Sequence, residues 1–555
     1  YPEGFGFVGV CSGCCDKTKN LVFSQENENL FFIGACATEK GVYNVASRVN
    51  QRFFESALNE AELFAESMIP RISVKTRSAM HDVMMNGFLP YQISACRFYA
   101  RGSFYQSGGA YGFRDQLQDC LSIIYSSKET VRTHILRCCA HQYLEGCVMH
   151  WWHTKRYGSV NRGIKSKCSD DLLYLPLVVA DYIKKTSDSS VLDFSVEYIT
   201  SPPLVNESER YEQPERSGVR ESVYHHCLRV FDGGLRLGEN GLILIGSCDW
   251  NDAFSLVGEQ GKGESVFSTL LYILAATEFK EVCKSRGDFK TVEKYDAIIK
   301  RLTDAVEKTA FYGDRYARAI CDNGTVLGIE KSEECKIDIL SQAFAAISNI
   351  NPASARVALK TAFSKLYDPE NKILKLFSPP FYNNSARVGY IRGYVAGIRE
   401  NGGQYSHGAL WGALGCIKAG MYKEALLILD CVNPATRVLN KELAGKYKIE
   451  PYVIAADIYS GKFGGRGGWS WYTGAASWFY KIMLEYVFGI KISGNAVISV
   501  EPITEYSAKI LLGEAELTIR SSKDVKEITL NENKASFPLT LKNGSYTLTV
   551  PLKTE

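Results

Sequence analysis

The chain has 555 residues, 46% of them hydrophobic and 23% charged, with 64 Lys and Arg against 61 Asp and Glu for a net charge of +3. These values exclude a disordered polymer. A balance so close to neutrality offers no field for gathering nucleic acid or an anionic membrane, and no apolar run of ~18 residues is present to span a bilayer. The length predicts two to four domains and a large buried core. The 17 cysteines are odd in number, scattered, and in places adjacent (Cys14-Cys15, Cys138-Cys139), which reads as a reduced, cytoplasmic chain rather than a disulfide framework. Cys11-x-x-Cys14 has the spacing of half a zinc site, but no second CxxC or HxxxH follows, so free thiols are expected.

Taken in order, the sequence opens at Tyr1 without a charged n-region or apolar h-region, and so reads as the interior of a longer protein. Residues 1–45 alternate apolar and polar in short pieces broken by Gly (Phe5 to Val10, Leu30 to Ile33), predicting strands at the end of a β-domain. From Val45 to Ser67 the pattern is amphipathic and helical, with Phe53, Phe54, Leu58, Leu63 and Phe64 on one face; residues 46–77 are expected to form a helical linker. Residues 78–490 are dominated by helices, among them Leu172 to Lys185, Val266 to Lys284, Tyr295 to Lys308, Ile337 to Ser348, Ser354 to Lys365, Ala409 to Ala419 and Lys423 to Cys431. Their broad apolar faces fit layered packing. The loops at 101–119, 145–171, 238–263, 377–407 and 459–474 are long enough to be functional, and they hold nearly all the unusual residue clusters. After about residue 490 the period becomes two (Ala496 to Val500, Lys509 to Leu512, Glu516 to Arg520, Glu527 to Leu530, Ser545 to Val550). This predicts a small C-terminal β-domain over 491–555, with a hairpin turn at Asn543-Gly544.

The loop clusters suggest sugar chemistry. Ser247-Cys248-Asp249-Trp250-Asn251-Asp252 puts two carboxylates beside an indole. A carboxyl against an apolar wall holds its proton more tightly, as a general acid requires. Arg114-Asp115 offers a donor and an acceptor side by side, suited either to vicinal hydroxyls or to an ion pair at a helix start. His150-Trp151-Trp152-His153 has two imidazoles without an obvious third ligand, so a sugar wall or packing is expected there rather than a metal. Glu400 to His407 combines a carboxylate, amides, two glycines and an imidazole. Thr473 and Gly474 open an apolar helix whose N-terminus can receive an anion.

These segments, GFRDQLQD (112–119), HQYLEG (141–146), HWWH (150–153), CSDDLLYLP (168–176), RYEQP (210–214), GSCDWND (246–252), ENGGQYSH (400–407), EPYV (450–453) and GGWSWYTG (467–474), resemble in order those of the cellobiose/chitobiose phosphorylase family, glycoside hydrolase family 94. The stretch Phe104 to Tyr111 resembles the branch of 1,2-β-oligoglucan phosphorylases and the phosphorylase-like part of cyclic β-1,2-glucan synthases. The resemblance implies an (α/α)6 barrel, mainly α, with the remnant of an N-terminal β-sandwich and a C-terminal β-domain. It implies inverting, reversible phosphorolysis of a β-linked glucose disaccharide or oligosaccharide, with β-1,2-glucan favoured by the branch, to α-glucose 1-phosphate. Inorganic phosphate would be co-substrate, with no further cofactor, no metal, no nucleic acid or membrane partner, and a homodimer among the assemblies to expect. It assigns Asp252 as general acid. Arg114 and Asp115 would hold the non-reducing glucose with Trp250 beside it, Glu400, Gln404 and Asp249 would serve sugar binding, and His407, Thr473 and Gly474 would donate to phosphate. An inverting hydrolase on the same scaffold and a non-catalytic sugar-binding module are the alternatives. Three departures stand out: Lys165-Ser166-Lys167 where the family often has Arg-Thr-Arg, Ala253-Phe254 after the acid, expected to reshape the acceptor side, and Gly108 where other branches carry Arg.

Overall fold

The computed structural model describes residues 5–11, 13–16, 21–24, 30–36, 38–101, 109–153, 161–382, 387–494 and 496–553. Gly108 and most of the Phe104 to Tyr111 stretch lie outside them, as do the side chains of Cys11, Cys14 and Cys15. The 14 cysteines whose side chains are described are all free thiols.

The chain forms two compact units, Tyr1–Ile69 and Pro70–Glu555. In the first, strand Phe5–Cys11 pairs antiparallel with Leu30–Cys36, and Gly13–Asp16 pairs with Leu21–Ser24. Two helices follow, Glu39–Ala46 capped by the Thr38 hydroxyl and Gln51–Met68 capped by the Asn50 carbonyl oxygen. The linker expected over 46–77 does not stay helical to its end. Ile72–Thr76 is a strand that pairs with Tyr506–Leu512 in the C-terminal sheet. Its own sequence explains this: Ile72 and Val74 are buried while Ser73 and Lys75 are exposed, a period of two.

In the second unit six helices make a closed cycle of contacts: Phe113–Ile123, Tyr174–Thr186, Val266–Ser285, Ile339–Ile347, Ser406–Lys418 and Ala475–Ile482. Each packs on the next, and the last returns to the first. A second helix lies against most of them from outside, for example Phe289–Thr309 on Val266–Ser285 and Tyr422–Val432 on Ser406–Lys418. The cycle helices are apolar nearly all round (in Ser406–Lys418 every residue from Ser406 to Cys416 is buried), because each is covered on several sides. The outer Phe289–Thr309 buries only one stripe.

The closure is also polar. Ser122 Oγ donates to the Ser477 carbonyl oxygen at 2.6 Å. Lys185 Nζ lies 2.7 Å from both Asp181 and Glu485, and Lys481 Nζ lies 2.7 Å from Glu485. Burial disfavours charge on Glu485, but Lys185 and Lys481 outweigh it and hold its carboxyl well below the usual range.

The C-terminal β-region has a six-stranded sheet in the spatial order Asn533–Lys534, Thr529–Leu530, Gly544–Val550, Ala515–Ser521, Tyr506–Leu512 and Ile72–Thr76. The hairpin expected at Asn543-Gly544 does not form. Leu539–Thr540 pairs in a separate sheet with Val497–Val500, and Gly544–Val550 runs parallel to Ala515–Ser521.

Removing one member of a buried ion network strands the others, so Glu485→Gln should destabilise the full chain by on the order of 3 kcal/mol at pH 7 in urea unfolding. A depressed folded-state pKa contributes above the unfolded value of 4.5 and is lost as pH falls toward the folded one. The gap between wild type and variant should therefore narrow below pH ~4.5; equal stability at pH 7 would contradict the network's role.

Candidate active site

Arg114 and Asp115 lie in the first turn of Phe113–Ile123, His407 in the first turn of Ser406–Lys418, and Gly474 caps Ala475–Ile482. With Trp250, Asp252, Glu400 and Thr473 they line one cavity of about 800 Å³. Helix N-termini carry unpaired N–H groups and partial positive charge, so three of them around one cavity favour an anionic ligand.

Arg114 is the hub. Its Nη1 donates to Asp170 Oδ1 at 2.8 Å and to the Asp249 carbonyl oxygen at 3.2 Å, and its Nη2 donates to Asp252 Oδ1 at 2.5 Å and to the Trp250 carbonyl oxygen at 3.3 Å. Nε lies 3.5 Å from Asp171 Oδ1. The expectation that Arg114 holds glucose hydroxyls is therefore revised: its donors are committed to the protein, and it positions Asp252. Asp115 is the member of the pair that remains available, with its side chain 39% exposed. The Asp115 carboxylate folds back over Gly112, where a Cβ would lie 2.0 Å from its Oδ2, so a side chain at 112 would displace the carboxylate from this position.

Two further expectations are corrected. Asp249 is fully buried and does not line the cavity; Arg318 grips both its oxygens at 2.6 and 2.7 Å, and Ser265 Oγ donates to it at 2.7 Å. Gln404 is fully buried as well, its Oε1 accepting from the Leu374 N–H at 2.8 Å. Both anchor loops instead of touching sugar. Phe254 is buried beneath the Arg318 guanidinium, 5.0 Å from ring centre to Cζ, so it is core and not acceptor surface. Of Lys165-Ser166-Lys167 only Ser166 reaches the cavity; Lys165 Nζ donates to Glu145 at 2.5 Å and sits over the Tyr143 ring.

Asp252 does not sit in an apolar pocket. Its side chain is 45% exposed, with Arg114 on one oxygen and His150 Nε2 3.8 Å from that same atom. The other ring nitrogen of His150, Nδ1, is 2.7 Å from Asp171 Oδ2. Burial opposes charge on this imidazole, but the Asp171 carboxylate prevails and raises its pKa well above the ordinary value. The sequence predicts a sugar wall or packing for the 150–153 segment. Its neighbour Trp152 is indeed packing, buried and stacked on His141 at 3.9 Å, whereas His150 and Trp151 face the cavity. His150, Cys168 and Asp171 lie close enough together to hold a cation, as do Cys168, Cys248 and Asp252. The Arg114 guanidinium already neutralises this cluster, 3.7 Å from Cys168 Sγ and 2.8 Å from Asp170.

At the other end of the cavity His407 packs edge-on to Trp250, with ring centres 5.4 Å apart. The Gln118 amide fixes its tautomer. Gln118 Nε2 donates to the Arg114 carbonyl oxygen, so Oε1 is the acceptor; it receives Trp478 Nε1–H at 2.8 Å and faces His407 Nε2 at 2.9 Å. His407 therefore carries its hydrogen on Nε2 and keeps Nδ1 as an acceptor, with Cε1 and Nδ1 the ring atoms nearest a Cβ built on Gly474. Burial, with Arg97 and Arg114 nearby, holds its pKa well below the ordinary value. The expectation that His407 donates to an anion changes accordingly: at neutral pH it presents an acceptor. Thr473 Oγ1 accepts the Ala475 N–H at 3.1 Å, so its own hydrogen is the one offered. Glu400 is paired with Arg399, 3.2 Å from Nε, and its pKa is raised by burial. Arg97 and Tyr472 also line this end; Tyr472 belongs to the 467–474 segment, whereas Arg97 lies in none of the motifs.

His150→Gln removes the imidazolium from Asp171. The folded-state pKa of His150 is raised, so its contribution is complete below ~6.5 and is lost as pH rises through the folded value. The variant should lose on the order of 3 kcal/mol at pH 6 and progressively less above that, read by denaturation across pH; a pH-independent deficit would contradict the ion pair.

Comparison with known proteins places this geometry. The pattern described as Glycosyl hydrolase 94 superfamily, catalytic domain, matches residues 64–489. The cyclic beta-(1,2)-glucan synthase NdvB of Rhizobium meliloti (strain 1021) is 35% identical over 512 residues, which are 90% of this chain and 18% of that protein. The N,N'-diacetylchitobiose phosphorylase of Vibrio proteolyticus is 25% identical over 94% of this chain and 67% of its own length, and the solabiose phosphorylase of Paenibacillus borealis 28% over 77% and 52%. Among solved structures a GH78 family rhamnosidase of Bacillus sp. GL1 aligns with a TM-score of 0.52 at 10% identity, over 87% of this chain and 44% of that one, which is a likeness of fold alone. With more than half its length matched, the chain belongs to the glycosyl hydrolase 94 superfamily and carries its catalytic domain.

Proposed function

We propose that the chain is an inverting glycoside phosphorylase, moving a glucosyl group from a β-glucoside to inorganic phosphate and releasing α-glucose 1-phosphate. In this reading the closed helical cycle is the family's (α/α)6 barrel. The observation that carries it is the far end of the cavity, where a neutral imidazole, a free hydroxyl hydrogen and a helix N-terminus converge. An inverting hydrolase needs a carboxylate there to activate water. Of the cavity carboxylates on that side, Glu400 is committed to Arg399 and Asp457 to the Trp469 and Arg399 backbone N–H groups; Asp115, 3.6 Å from Arg97, is the one left open, and this reading gives it to the glucose hydroxyls.

The reading gives each residue a role. Asp252, steered by Arg114 and His150, gives its proton to the leaving glycosidic oxygen. A phosphate oxygen forms the new bond to the anomeric carbon as the old C–O bond breaks. The hydrogen-phosphate O–H donates to His407 Nδ1, while Thr473 and the first-turn amide donate to the remaining oxygens. Asp115, with Trp250 as a wall, receives the glucose hydroxyls, and Glu400 stands beside them. The likeness to a protein named for cyclic β-1,2-glucan supports a β-1,2-linked substrate. A homodimer and a cytoplasmic setting belong to the same reading.

Incubation with β-1,2-gluco-oligosaccharides should yield α-glucose 1-phosphate only when phosphate is present. Phosphate-independent glucose release would establish the hydrolase instead, and binding without turnover would establish a sugar-binding module. Asp252→Asn should lower kcat by about 10²–10⁴-fold with phosphate binding retained. His407→Ala should raise the phosphate KM about 10–100-fold before the sugar KM moves; the reverse order would mean that the anion binds elsewhere.

A further inference from the structure

We propose that Arg97 is the cation that grips the phosphate nucleophile, an assignment that rests on the phosphorylase reading above. Arg97 lies in Gln92–Tyr99, a segment wound as a π-helix, a form that recurs at functional sites. It is 2% exposed and lines the cavity. One edge of the guanidinium is anchored: Nε lies 3.1 Å from Asp119 Oδ2, Asp119 is itself held by Ser477 Oγ at 2.5 Å, and the Arg97 plane rests on the Tyr472 ring at 4.2 Å. The other edge is not. Nη2 is buried and has no hydrogen-bond partner among the described residues; the nearest carboxylate oxygen, Asp115 Oδ1, stands off at 3.6 Å.

The position of that free edge gives it meaning. A Cβ built on Gly474 would lie 3.4 Å from Arg97 Nη2, 3.2 Å from His407 Nδ1 and 2.8 Å from His407 Cε1. Guanidinium, imidazole acceptor and helix N-terminus thus meet around one glycine, which leaves the space a side chain would fill. Among the described residues, three arginines line the cavity. Arg114 is committed to Asp170, Asp252 and two carbonyl oxygens, and Arg399 to Glu400 with its face between the Tyr394 and Trp469 rings. Arg97 is the one left with a buried donor and no acceptor, an arrangement costly unless a ligand completes it. An oxyanion fits: the guanidinium and helix end neutralise it, and a protonated oxygen meets the neutral imidazole.

The test uses the full chain. Phosphate and sugar KM are measured for wild type, Arg97→Lys and Arg97→Gln with β-1,2-gluco-oligosaccharide. Lysine keeps the charge toward Asp119 but loses the fork and the stack on Tyr472, so a purely structural role predicts lower stability or equal movement of both constants in Arg97→Lys, not a selective rise in the phosphate KM. The expected result is a phosphate KM raised about 10-fold in Arg97→Lys and about 100-fold in Arg97→Gln, with the sugar KM within about twofold. Unchanged phosphate KM in both variants, or equal movement of both constants, overturns the assignment while leaving a phosphate-dependent wild type intact. Phosphate-independent turnover by wild type overturns the phosphorylase reading itself, and Arg97's role with it. Should either variant fail to fold, wild-type crystals soaked in tungstate decide: an anion within hydrogen-bond distance of Nη2 supports the assignment, and an anion bound elsewhere in the cavity refutes it.

Discussion

The site depends on the burial of Arg114. Its guanidinium touches carboxylates contributed by residues 170, 171 and 252 and the backbone of 249 and 250, segments far apart in the chain. Ionised carboxylates at that depth are tolerable only with a cation among them. A second buried cation repeats the device next door: Arg318 holds Asp249 in a bidentate pair and lies 3.5 Å from Asp338, the residue that caps Ile339–Ile347. The two arginines thereby tie the Asp249–Asp252 loop to the starts of several cycle helices. The loop's shape is a consequence of these pairs, and so is the place where Asp252 emerges into the cavity.

This arrangement separates two chemical tasks. At one end a half-exposed carboxylate is held by a guanidinium and an imidazolium, the place where the proposed reaction calls for an acid at the leaving group. At the other, burial keeps His407 neutral, and helix ends supply fixed dipoles that need not reorganise as charge develops. Trp250 stands between them, its ring edge against Tyr405 and His407. The same indole that offers a sugar its wall thus braces the imidazole of the anion end.

Much of the helical scaffold could be read from periodicity. Val266 to Lys284 and Tyr295 to Lys308 emerge as the helices Val266–Ser285 and Phe289–Thr309, since long segments with a clear apolar pattern leave little choice. Closure of the cycle could not be read, because it joins Ser122 to Ser477 across 355 residues. The site residues divide the same way. Arg-Asp adjacency at 114–115 shows two polar groups but not which is buried; that is decided by Asp170 and by the backbone of the Asp249–Asp252 loop. Asp249 and Asp252 look alike in sequence, three residues apart, yet Arg318 claims one and the cavity receives the other. Asn543-Gly544 has the chemistry of a tight turn, but the strands on either side belong to different sheets, and pairing overrides local preference.

Arg97 shows why an anion site of this kind escapes motif reading. Its neighbours, Cys96 and Phe98, are ordinary helix residues, and a lone arginine in an apolar segment reads as a surface or snorkelling side chain. Its meaning comes from the winding of Gln92–Tyr99, which sets it beside the start of Ala475–Ile482, and from Gly474, whose missing side chain leaves the space between Nη2 and Nδ1. A binding site made by what two distant segments leave empty has no local pattern to find. What the sequence does contain is the glycine at the head of an apolar helix, with Thr473 before it and His407 in another segment; the arginine of the proposed site has no such local trace.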